Sequence, residues 1–201
     1  MKLKDFYKNK PIFIGSFPDV NKIPFSNQKE IAFIGRSNVG KSSLINAIFS
    51  SPNLAKTSAT PGRTQQLNFF NMQDILMIVD LPGYGFAKAP RDVVKNWNDN
   101  VNTYLKGRVQ LRRVFLLIDC RQGLKQVDLD MMGMLDASAV NYQITLTKLD
   151  KISQSEAQKI KSDIEAIYKN HPAMHPIILS TSSEKNIGLD EIRGEIFDLI
   201  K

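Results

Sequence analysis

The sequence predicts an α/β fold in three layers: a mostly parallel six-stranded sheet with one antiparallel strand, and helices on both faces. Three observations support this fold class. From residue 30 onward, short apolar runs alternate with segments of helical periodicity, as in parallel strands joined by helices. Polar, glycine-containing loops follow several of these runs directly. The chain of 201 residues is also long enough to bury one sizeable core.

Residues 1–28 do not share this alternation. A short apolar segment at 11–14 is followed by Pro18, Asn21 and Pro24, which indicates a candidate edge strand and then a loop. We therefore expect an N-terminal extension at 1–28 and one main domain at 29–201.

The predicted elements follow in a regular order. Strands are expected at 31–34, 65–71, 75–79, 114–118, 142–146 and 177–179, and the second and third of them form an antiparallel hairpin. Helices are expected near 43–49, 93–105, 127–135, 160–168 and 189–199. Ser153 and Glu156 form a capping box before the fourth helix. Trp97 and Tyr104 belong to an apolar stripe that is expected to face the core.

Composition limits the function classes. No apolar run approaches the roughly 20 residues needed to cross a bilayer, so an integral membrane protein is not expected. The N-terminus lacks the features of an export signal, and the single cysteine, Cys120, cannot form an internal disulfide. We therefore expect a cytoplasmic protein.

The net charge of +7 favours an acidic partner, with nucleic acid first and an anionic membrane surface second, but solubilising surface charge explains it equally well.

The stretch GRSNVGKS, from Gly35 to Ser42, matches the phosphate-binding pattern G-x-x-x-x-G-K-[ST]. It joins a predicted strand to a predicted helix, so backbone N–H groups and the positive end of the helix point to one place. Gly35 and Gly40 allow close approach of the backbone, and Lys41 can reach the outer phosphates. The hydroxyl of Ser42 can bind Mg²⁺. A nucleotide polyphosphate is the predicted ligand.

Two further motifs follow predicted strands. Asp80 is placed to hold Mg²⁺, and Gly83 can present its N–H to a terminal phosphate. Asp150 ends the TKLD stretch at 147–150, and its carboxylate can accept hydrogen bonds from both the N1–H and the amine of guanine. The stem of Lys148 can pack over the purine ring. Because these loops follow parallel strands, they are expected to meet at one sheet edge as a guanine-nucleotide site.

Five stretches carry a resemblance that covers nearly the whole chain from Glu30 onward. They are EIAFIGRSNVGKSSLINAI, TPGRTQQLNFF, DLPGYGFAKAP, LLIDCRQGLKQVDLDMM and YQITLTKLDK. In them the chain resembles the EngB-type ribosome-biogenesis GTP-binding proteins, of the TrmE-Era-EngA-EngB-septin-like GTPase branch. The resemblance implies a P-loop GTPase fold, a GTPase domain at 29–201, binding of GTP or GDP with Mg²⁺, and a switch function in assembly of the large ribosomal subunit.

The resemblance also completes the predicted site. Thr64 would be the first-switch threonine, Asp80 to Gly85 would begin the second switch, and residues 182–184 would contact the base, with Ser180-Thr181 as a competing register. The predicted nucleotide-binding residues are Gly35, Arg36, Ser37, Asn38, Val39, Gly40, Lys41, Ser42, Ser43, Gly62, Arg63, Thr64, Gln65, Gln66, Asp80, Leu81, Pro82, Gly83, Thr147, Lys148, Leu149, Asp150, Ser182, Ser183 and Glu184. The predicted catalytic residues are Lys41, Thr64 and Gly83, and the predicted Mg²⁺ ligands are Ser42, Thr64 and Asp80.

Three positions in the site qualify this resemblance. Thr147 stands where small GTPases commonly carry asparagine, which leaves one hydroxyl for the purine edge and predicts weaker binding. Tyr84 stands where many relatives carry the glutamine that orients the attacking water, so intrinsic hydrolysis is expected to be slow. Asn38 stands where some relatives hold K⁺, and a K⁺ ion and a local hydrogen bond within the loop both remain open.

Basic residues cluster in sequence after the predicted second switch. The candidate contacts for ribosomal RNA are Lys88, Arg91, Lys95, Arg108, Arg112 and Arg113. From sequence alone, scattered solvated charges are the other interpretation. An alternative function is a nucleotide-gated binding module for a non-ribosomal protein or a membrane surface, for example in cell division. An ATP-dependent phosphotransferase is disfavoured by the TKLD stretch. We expect a monomer.

Overall fold

The computed structural model describes residues 2–56, 66–85 and 91–201, except for the side chains of residues 91–96. The strands are β1 (Ile12–Phe17), β2 (Lys29–Gly35), β3 (Leu67–Met72), β4 (Leu76–Asp80), β5 (Leu111–Asp119), β6 (Tyr142–Thr147) and β7 (Leu179–Ser180). The α-helices are α1 (Leu3–Phe6), α2 (Lys41–Ile48), α3 (Arg91–Gly107), α4 (Gln126–Ala137), α5 (Gln154–Ile167) and α6 (Leu189–Ile200). Short 3₁₀ helices cover Val20–Lys22, Leu149–Lys151 and Tyr168–Asn170.

The seven described strands form one sheet in the order β1-β3-β4-β2-β5-β6-β7. Strand β2 pairs in parallel with β4 and β5, and β6 pairs in parallel with β5 and β7. Strand β3 is antiparallel to both of its neighbours, β4 and β1. The predicted α/β class, hairpin and single antiparallel strand are confirmed. The sheet has seven strands instead of six because the candidate edge strand of the N-terminal extension pairs with β3.

Apolar side chains cover both faces of the sheet, as expected where parallel strands are buried between helices. In β2, Ile31 and Phe33 pack with α2 and α6, whereas Ala32 and Ile34 pack with α3, α4 and α5. All four side chains are fully buried. The alternation along this one strand therefore produces the predicted three-layer arrangement.

Local sequence signals agree with the helices that form. Trp97 and Tyr104 of α3 are buried in the core, as their spacing predicts. Helix α5 begins with the predicted capping box, in which Ser153 N donates to the Glu156 carboxylate at 2.8 Å and Glu156 N donates to Ser153 Oγ at 3.3 Å. None of the helices in the described ranges is both long enough and apolar enough to span a bilayer.

The N-terminal extension packs on the rest of the fold through aromatic residues. Phe6 of α1 is fully buried, and its ring centroid lies 6.0 Å from that of Phe197 in α6. The hydroxyl of Tyr7 donates to the backbone carbonyl of Arg193 at 3.1 Å. The extension thus contributes both an edge strand and a buried ring to the described structure.

Two arginines that were candidate RNA contacts form ion pairs inside the fold. Arg108 pairs with Glu30, which is fully buried, and Arg113 Nη1 donates to Glu195 Oε2 at 2.6 Å. Only 12% and 11% of the Arg108 and Arg113 side chains are exposed. Both guanidinium groups are thus held by carboxylates of the fold, which disfavours them as RNA contacts. A buried carboxylate requires a charged partner, and Arg108 supplies it for Glu30.

Helix α3 separates the remaining basic candidates. It has 17 residues and is therefore roughly 25 Å long. Its first residue follows the second-switch segment, and its last residue leads into β5 at the amino edge of the parallel strands. Arg112 is exposed at that far edge, so the basic residues do not all cluster beside the switches. Lys88 and the side chains of Arg91 and Lys95 lie outside the described part of the chain.

Candidate functional site

The polar loops of the chain meet at the carboxyl edge of the parallel strands. The five parallel strands β2, β4, β5, β6 and β7 end at Gly35, Asp80, Asp119, Thr147 and Ser180. Asp119 and Thr147 are direct partners in the register of β5 and β6, so the strand ends are aligned. The predicted convergence at one edge is confirmed, and this edge is where open α/β sheets bind ligands.

The phosphate loop, residues 35–42, turns tightly between β2 and α2. Gly40 precedes α2 with a φ of 100°, a left-handed conformation that glycine adopts without strain. Gly35 leaves no room for a side chain, because an added Cβ would lie 2.9 Å from Val39 Cγ1 and 3.0 Å from the Leu117 carbonyl oxygen. The first N–H groups of α2, which starts at Lys41, point out of the helix end. The loop therefore has the geometry of an anion cradle.

Lys41 and Asp80 form an ion pair beside this loop. The Lys41 side chain is 13% exposed and the Asp80 side chain 7% exposed. Asn68 Nδ2 donates to the second oxygen of Asp80 at 3.5 Å. Ser42 is the next residue of α2, so a hydroxyl and a carboxylate, both ligand types that Mg²⁺ prefers, flank the phosphate loop. Across the described ranges, no group of three or more His, Cys, Asp or Glu side chains is arranged to hold a metal ion.

The segment after Asp80 lies directly on the phosphate loop. Tyr84 N donates to the Gly35 carbonyl at 3.2 Å, and Ser37 N donates to the Tyr84 carbonyl at 3.2 Å. An added Cβ on Gly83 would lie 3.3 Å from both the Gly35 carbonyl oxygen and Ser37 N. Gly83 is thus held close to Gly35 and Ser37 of the phosphate loop, and a larger residue at position 83 would increase its distance from them.

The side chains of Tyr84 and Arg36 point toward α4. Tyr84 is 5% exposed, and its hydroxyl donates to Asp128 Oδ1 at 2.7 Å. Arg36 Nε lies 3.2 Å from the same oxygen, and its terminal nitrogens donate to Gln122 Oε1 and to the Gly123 carbonyl. The Arg36 side chain is therefore held by Asp128, Gln122 and Gly123. Sequence reasoning assigned no role to Asp128, although it lies in one of the stretches that carry the resemblance, because its partner Tyr84 is 44 residues away in the chain.

Thr147 and Lys148 connect the loop after β6 to the phosphate loop. Thr147 Oγ1 donates to the Val39 carbonyl at 2.7 Å, and only 3% of Thr147 is exposed. The predicted contact of this hydroxyl with the purine edge is corrected, because β6 places the hydroxyl beneath the phosphate loop. Lys148 Nζ donates to the Asn38 carbonyl at 2.6 Å and to Asp119 Oδ2 at 2.9 Å. The Lys148 stem is thereby held extended between two acceptors.

Asp150 is held by side chains from two loops. Its side chain is 8% exposed, Ser182 Oγ donates to Oδ1 at 2.5 Å, and Lys151 Nζ lies 3.0 Å from Oδ2. Hydrogen bonds from Ser182 and then Lys151 lower the pKa of Asp150, so the carboxylate stays ionised. Lys151 also pairs with Glu184 at 2.9 Å. Ser182 is therefore in direct contact with Asp150, whereas the Thr181 hydroxyl donates to a backbone carbonyl of β6.

A cavity of about 490 Å³ lies between the loops that follow β2, β5, β6 and β7. Seven of its lining residues belong to the predicted set: Gly40, Ser43, Thr147, Lys148, Asp150, Ser183 and Glu184. Leu44, Arg121, Lys151 and Thr181 line it as well, and Thr181 belongs to the competing register. Sequence reasoning missed Arg121, although it follows the end of β5 by the same rule that located the other loops.

Asp119 organises the cationic side chains at this cavity. Its side chain is 4% exposed, and it accepts from Lys148 Nζ at 2.9 Å, from Arg121 Nε at 3.0 Å and from Arg121 Nη2 at 2.7 Å. Burial alone would raise the pKa of Asp119, but the hydrogen bonds from Arg121 and Lys148 lower this pKa to about 2. Asp119 therefore remains charged and fixes both cations.

None of the other predicted residues within the described ranges lines the cavity. Gly62, Arg63, Thr64 and Gln65 fall outside the described residues, and Gln66 is exposed before β3. Leu81 is fully buried, Leu149 N donates to the Thr181 carbonyl at 3.0 Å, and the Pro82 carbonyl accepts from Trp97 Nε1 at 3.3 Å. These three residues position the loops through backbone contacts and packing.

The described sheet is mostly parallel. A phosphate loop leads into a helix at its carboxyl edge, and a buried carboxylate lies beside a cavity there. These features define a P-loop nucleotide-binding protein. A family model described as 50S ribosome-binding GTPase matches residues 30–148. The probable GTP-binding protein EngB of Bartonella quintana is 46% identical over 98% of this chain and 96% of its own length. The protein of the same name from Rhodospirillum rubrum is 49% identical over 92% of this chain and 82% of its own.

The chain belongs to the EngB family of GTP-binding proteins and is a GTPase. The predicted family and the predicted enzyme class are thereby confirmed.

Solved structures share the fold. A crystal structure of a probable GTP-binding protein EngB superimposes with a TM-score of 0.69 at 21% identity, covering 85% of this chain and 98% of that one. Era in complex with MgGDPNP and a segment of 16S ribosomal RNA superimposes with a TM-score of 0.66 at 22% identity, covering 88% and 58%. At these identities the similarity concerns the fold alone, and it confirms the predicted P-loop GTPase arrangement.

Proposed function

We propose that this GTPase is a guanine-nucleotide switch that binds GTP or GDP with Mg²⁺, hydrolyses GTP slowly and acts in assembly of the large ribosomal subunit. The observation that carries the proposal is the position of Asp150. Its ionised carboxylate lines a cavity that reaches the phosphate loop at Gly40. A ligand with a purine at one end and phosphates at the other would contact both.

The chemistry of Asp150 supports guanine as the base. Its oxygens can accept from the N1–H and the exocyclic amine of guanine, whereas adenine presents an acceptor at N1 and no amine at C2, so adenine offers the carboxylate neither donor. Guanine would displace Lys151 from Asp150. This displacement costs little because the Lys151 side chain is 45% exposed. Ser182, Ser183 and Glu184 would border the base.

The ion pair of Lys41 and Asp80 supports a metal-bound triphosphate. In the complex, Lys41 would neutralise charge on the β and γ phosphates, while Asp80 and Ser42 would hold Mg²⁺ together with Thr64. Mg²⁺ would supply charge neutralisation on the phosphate oxygens. Both members of the ion pair would thus exchange one partner of opposite charge for another. Gly83 would offer its N–H to the γ phosphate.

The environment of Tyr84 supports slow hydrolysis. Its hydroxyl is buried and donates to Asp128, so the side chain that replaces the usual glutamine is directed away from the phosphates. Water must then be oriented by another group. Asn38, which is exposed with a φ of 62°, is a candidate to hold a K⁺ ion that contributes there. Turnover measured in KCl and in NaCl tests this role, and equal rates would remove K⁺ from the mechanism.

Family and charge support the ribosomal role. The matching family model is described as 50S ribosome-binding, the Era structure contains ribosomal RNA, and this chain carries a net charge of +7. Among the candidate contacts with described side chains, Arg112 is exposed. Lys88, Arg91 and Lys95 remain candidates by sequence. We also infer that the protein is a cytoplasmic monomer, with its N-terminal extension at 1–28 and its GTPase domain at 29–201.

Co-sedimentation with separated ribosomal subunits, in GDP and in a non-hydrolysable GTP analogue, tests the proposal. We expect association with the large subunit in the analogue, weakened by added salt. Arg112→Glu should weaken it further, whereas Lys169→Glu, at an exposed lysine after α5, should not. Absence from the large subunit in both nucleotides would favour the alternative, a switch that binds a non-ribosomal protein or a membrane surface.

Competition between GTP, ITP and ATP tests the base contact separately. Inosine keeps the N1–H but lacks the amine at C2, so ITP should bind between GTP and ATP. In Asp150→Asn the preference for GTP over ITP should disappear, because an amide does not pair with both donors as a carboxylate does. An unchanged GTP preference in this variant would exclude Asp150 as the base-selecting residue.

A further inference from the structure

Gly83 lies between two residues that buried side chains hold in place. On one side, Trp97 Nε1 donates to the Pro82 carbonyl at 3.3 Å. On the other, the Tyr84 hydroxyl donates to Asp128 Oδ1 at 2.7 Å. Trp97 is 7% exposed and Asp128 is fully buried, so both anchors belong to the core. The position of the Gly83 backbone is therefore set from α3 and from α4.

Asp128 joins three segments of the chain. It accepts from Tyr84 after β4 and from Lys125 N at 2.9 Å before α4, and Arg36 Nε of the phosphate loop lies 3.2 Å away. Burial and the Asp128 carboxylate raise the pKa of Tyr84, so its hydroxyl keeps the proton that it donates. Arg36 provides the opposite charge that a fully buried carboxylate requires.

We propose that Asp128 is a positioning residue for GTP recognition, which holds Gly83 against the phosphate loop through Tyr84, with Arg36 as its counter-ion. The inference rests on the proposed contact between Gly83 and the γ phosphate. It adds a residue to which the sequence analysis gave no role, and it makes α4 part of the structure that distinguishes GTP from GDP.

GTP and GDP differ in the contact that they can make with Gly83. A ligand favours one arrangement of a protein only by contacts that it makes better in that arrangement. GTP has a γ phosphate that can accept from a fixed Gly83 N–H, whereas GDP does not. Loosening Gly83 should therefore weaken GTP binding and leave GDP binding nearly unchanged. One buried hydrogen bond corresponds to roughly a 3- to 10-fold effect.

Tyr84→Phe is the direct test, because it removes the hydroxyl and keeps the ring. Dissociation constants are measured for GDP and for a non-hydrolysable GTP analogue. We expect the constant for the analogue to rise about 3- to 10-fold and that for GDP to change less than about twofold. Tyr104→Phe is the matched control, since it removes another buried hydroxyl, which donates to Glu30 Oε2 at 3.1 Å, far from the phosphate loop. Its ratio of the two constants should equal that of the wild type.

Asp128→Asn should change the ratio in the same direction, and the double variant with Tyr84→Phe should show less than the sum of the two effects. If Asp128 only supports the start of α4, Asp128→Asn will lower the unfolding temperature without changing the ratio, and the proposal fails.

Gly83→Ala separates the proposed role of Gly83 at the γ phosphate from the proposed role of Asp128 in holding Gly83. If it weakens analogue binding selectively while Tyr84→Phe does not, Gly83 senses the γ phosphate without Asp128. If it affects both nucleotides equally, the proposed role of Gly83 itself is wrong.

Discussion

Thr147 Oγ1 donates to the carbonyl of Val39 at 2.7 Å, and this hydrogen bond joins residues 108 positions apart in the chain. Both residues are buried, and the adjacent Lys148 makes a second link to the carbonyl of Asn38. The loop that would contact the base and the loop that would contact the phosphates are therefore fastened to each other. A change in either loop should therefore affect binding of both the base and the phosphates.

The first prediction concerns this fastening. Thr147→Val keeps the shape of the side chain but leaves the Val39 carbonyl without its donor, which should lower the free energy of unfolding by about 1–3 kcal/mol. Affinity for GDP should fall as well. Urea denaturation and nucleotide titration measure the two effects.

Thr145 on the same strand provides the control. Its Oγ1 is buried without a hydrogen-bond partner, so Thr145→Val should leave stability unchanged or raise it. Equal losses in the two variants would show that the Thr147 hydrogen bond contributes nothing specific.

The second prediction concerns the buried charge of Glu30. Arg108→Met removes its partner and should lower the free energy of unfolding by about 3–5 kcal/mol, because an uncompensated carboxylate would remain in the core. Arg112→Met, at an exposed arginine nearby, should change stability by less than about 0.5 kcal/mol. Denaturant unfolding of both variants decides the matter, and similar values for the two would contradict the assignment of Arg108 to the interior.

The third prediction is a pH dependence. The pKa of Asp119 is lowered to about 2 in the folded protein, below its ordinary value of about 3.9. Its ion pairs should therefore stabilise the fold above about pH 4, and this contribution should be lost as the pH falls toward 2. The difference in unfolding free energy between wild type and Asp119→Asn should be largest near pH 6 and shrink on acidification. A constant difference would show that Asp119 acts through its shape and not its charge.

The fourth prediction uses Cys120 as a probe. Burial raises the pKa of the Cys120 thiol to about 11, and the residue is 2% exposed. At pH 8 a thiol reagent should therefore label the native protein slowly, and urea should accelerate the reaction. Rapid labelling without denaturant would indicate that the end of β5 opens readily.

Local patterns in the sequence predict much of this structure. The alternation of apolar runs and helical periodicity predicts the layers, and strand ends next to glycine-containing loops predict the edge where Gly40 and Asp150 line one cavity. These features depend on residues close together in sequence. Element ends are less well determined: the last strand, predicted at 177–179, is observed at Leu179–Ser180.

Contacts between distant residues could not be predicted in the same way. Arg108 and Glu30 are 78 positions apart, and Arg113 and Glu195 are 82 apart, so nothing local distinguishes these arginines from a basic surface patch. The same limit applies to the Thr147 hydroxyl, whose acceptor on the phosphate loop is fixed only when β2 and β6 lie in one sheet. The partner of a side chain is determined only when the chain is folded, whereas the sequence shows only the residue type.

The length of α3 has a consequence for how a bound nucleotide could be sensed by a partner. The helix starts just after the second-switch segment and ends roughly 25 Å away, and the chain then passes through Val109 and Arg112 at the amino edge of the parallel strands. Val109 is 84% exposed. A macromolecule bound there would not contact the nucleotide, yet the single helix α3 would connect the two sites. Because a helix is stiff, a small tilt of α3 at one end would displace its other end, so α3 could transmit a change at the nucleotide site to the opposite edge of the sheet.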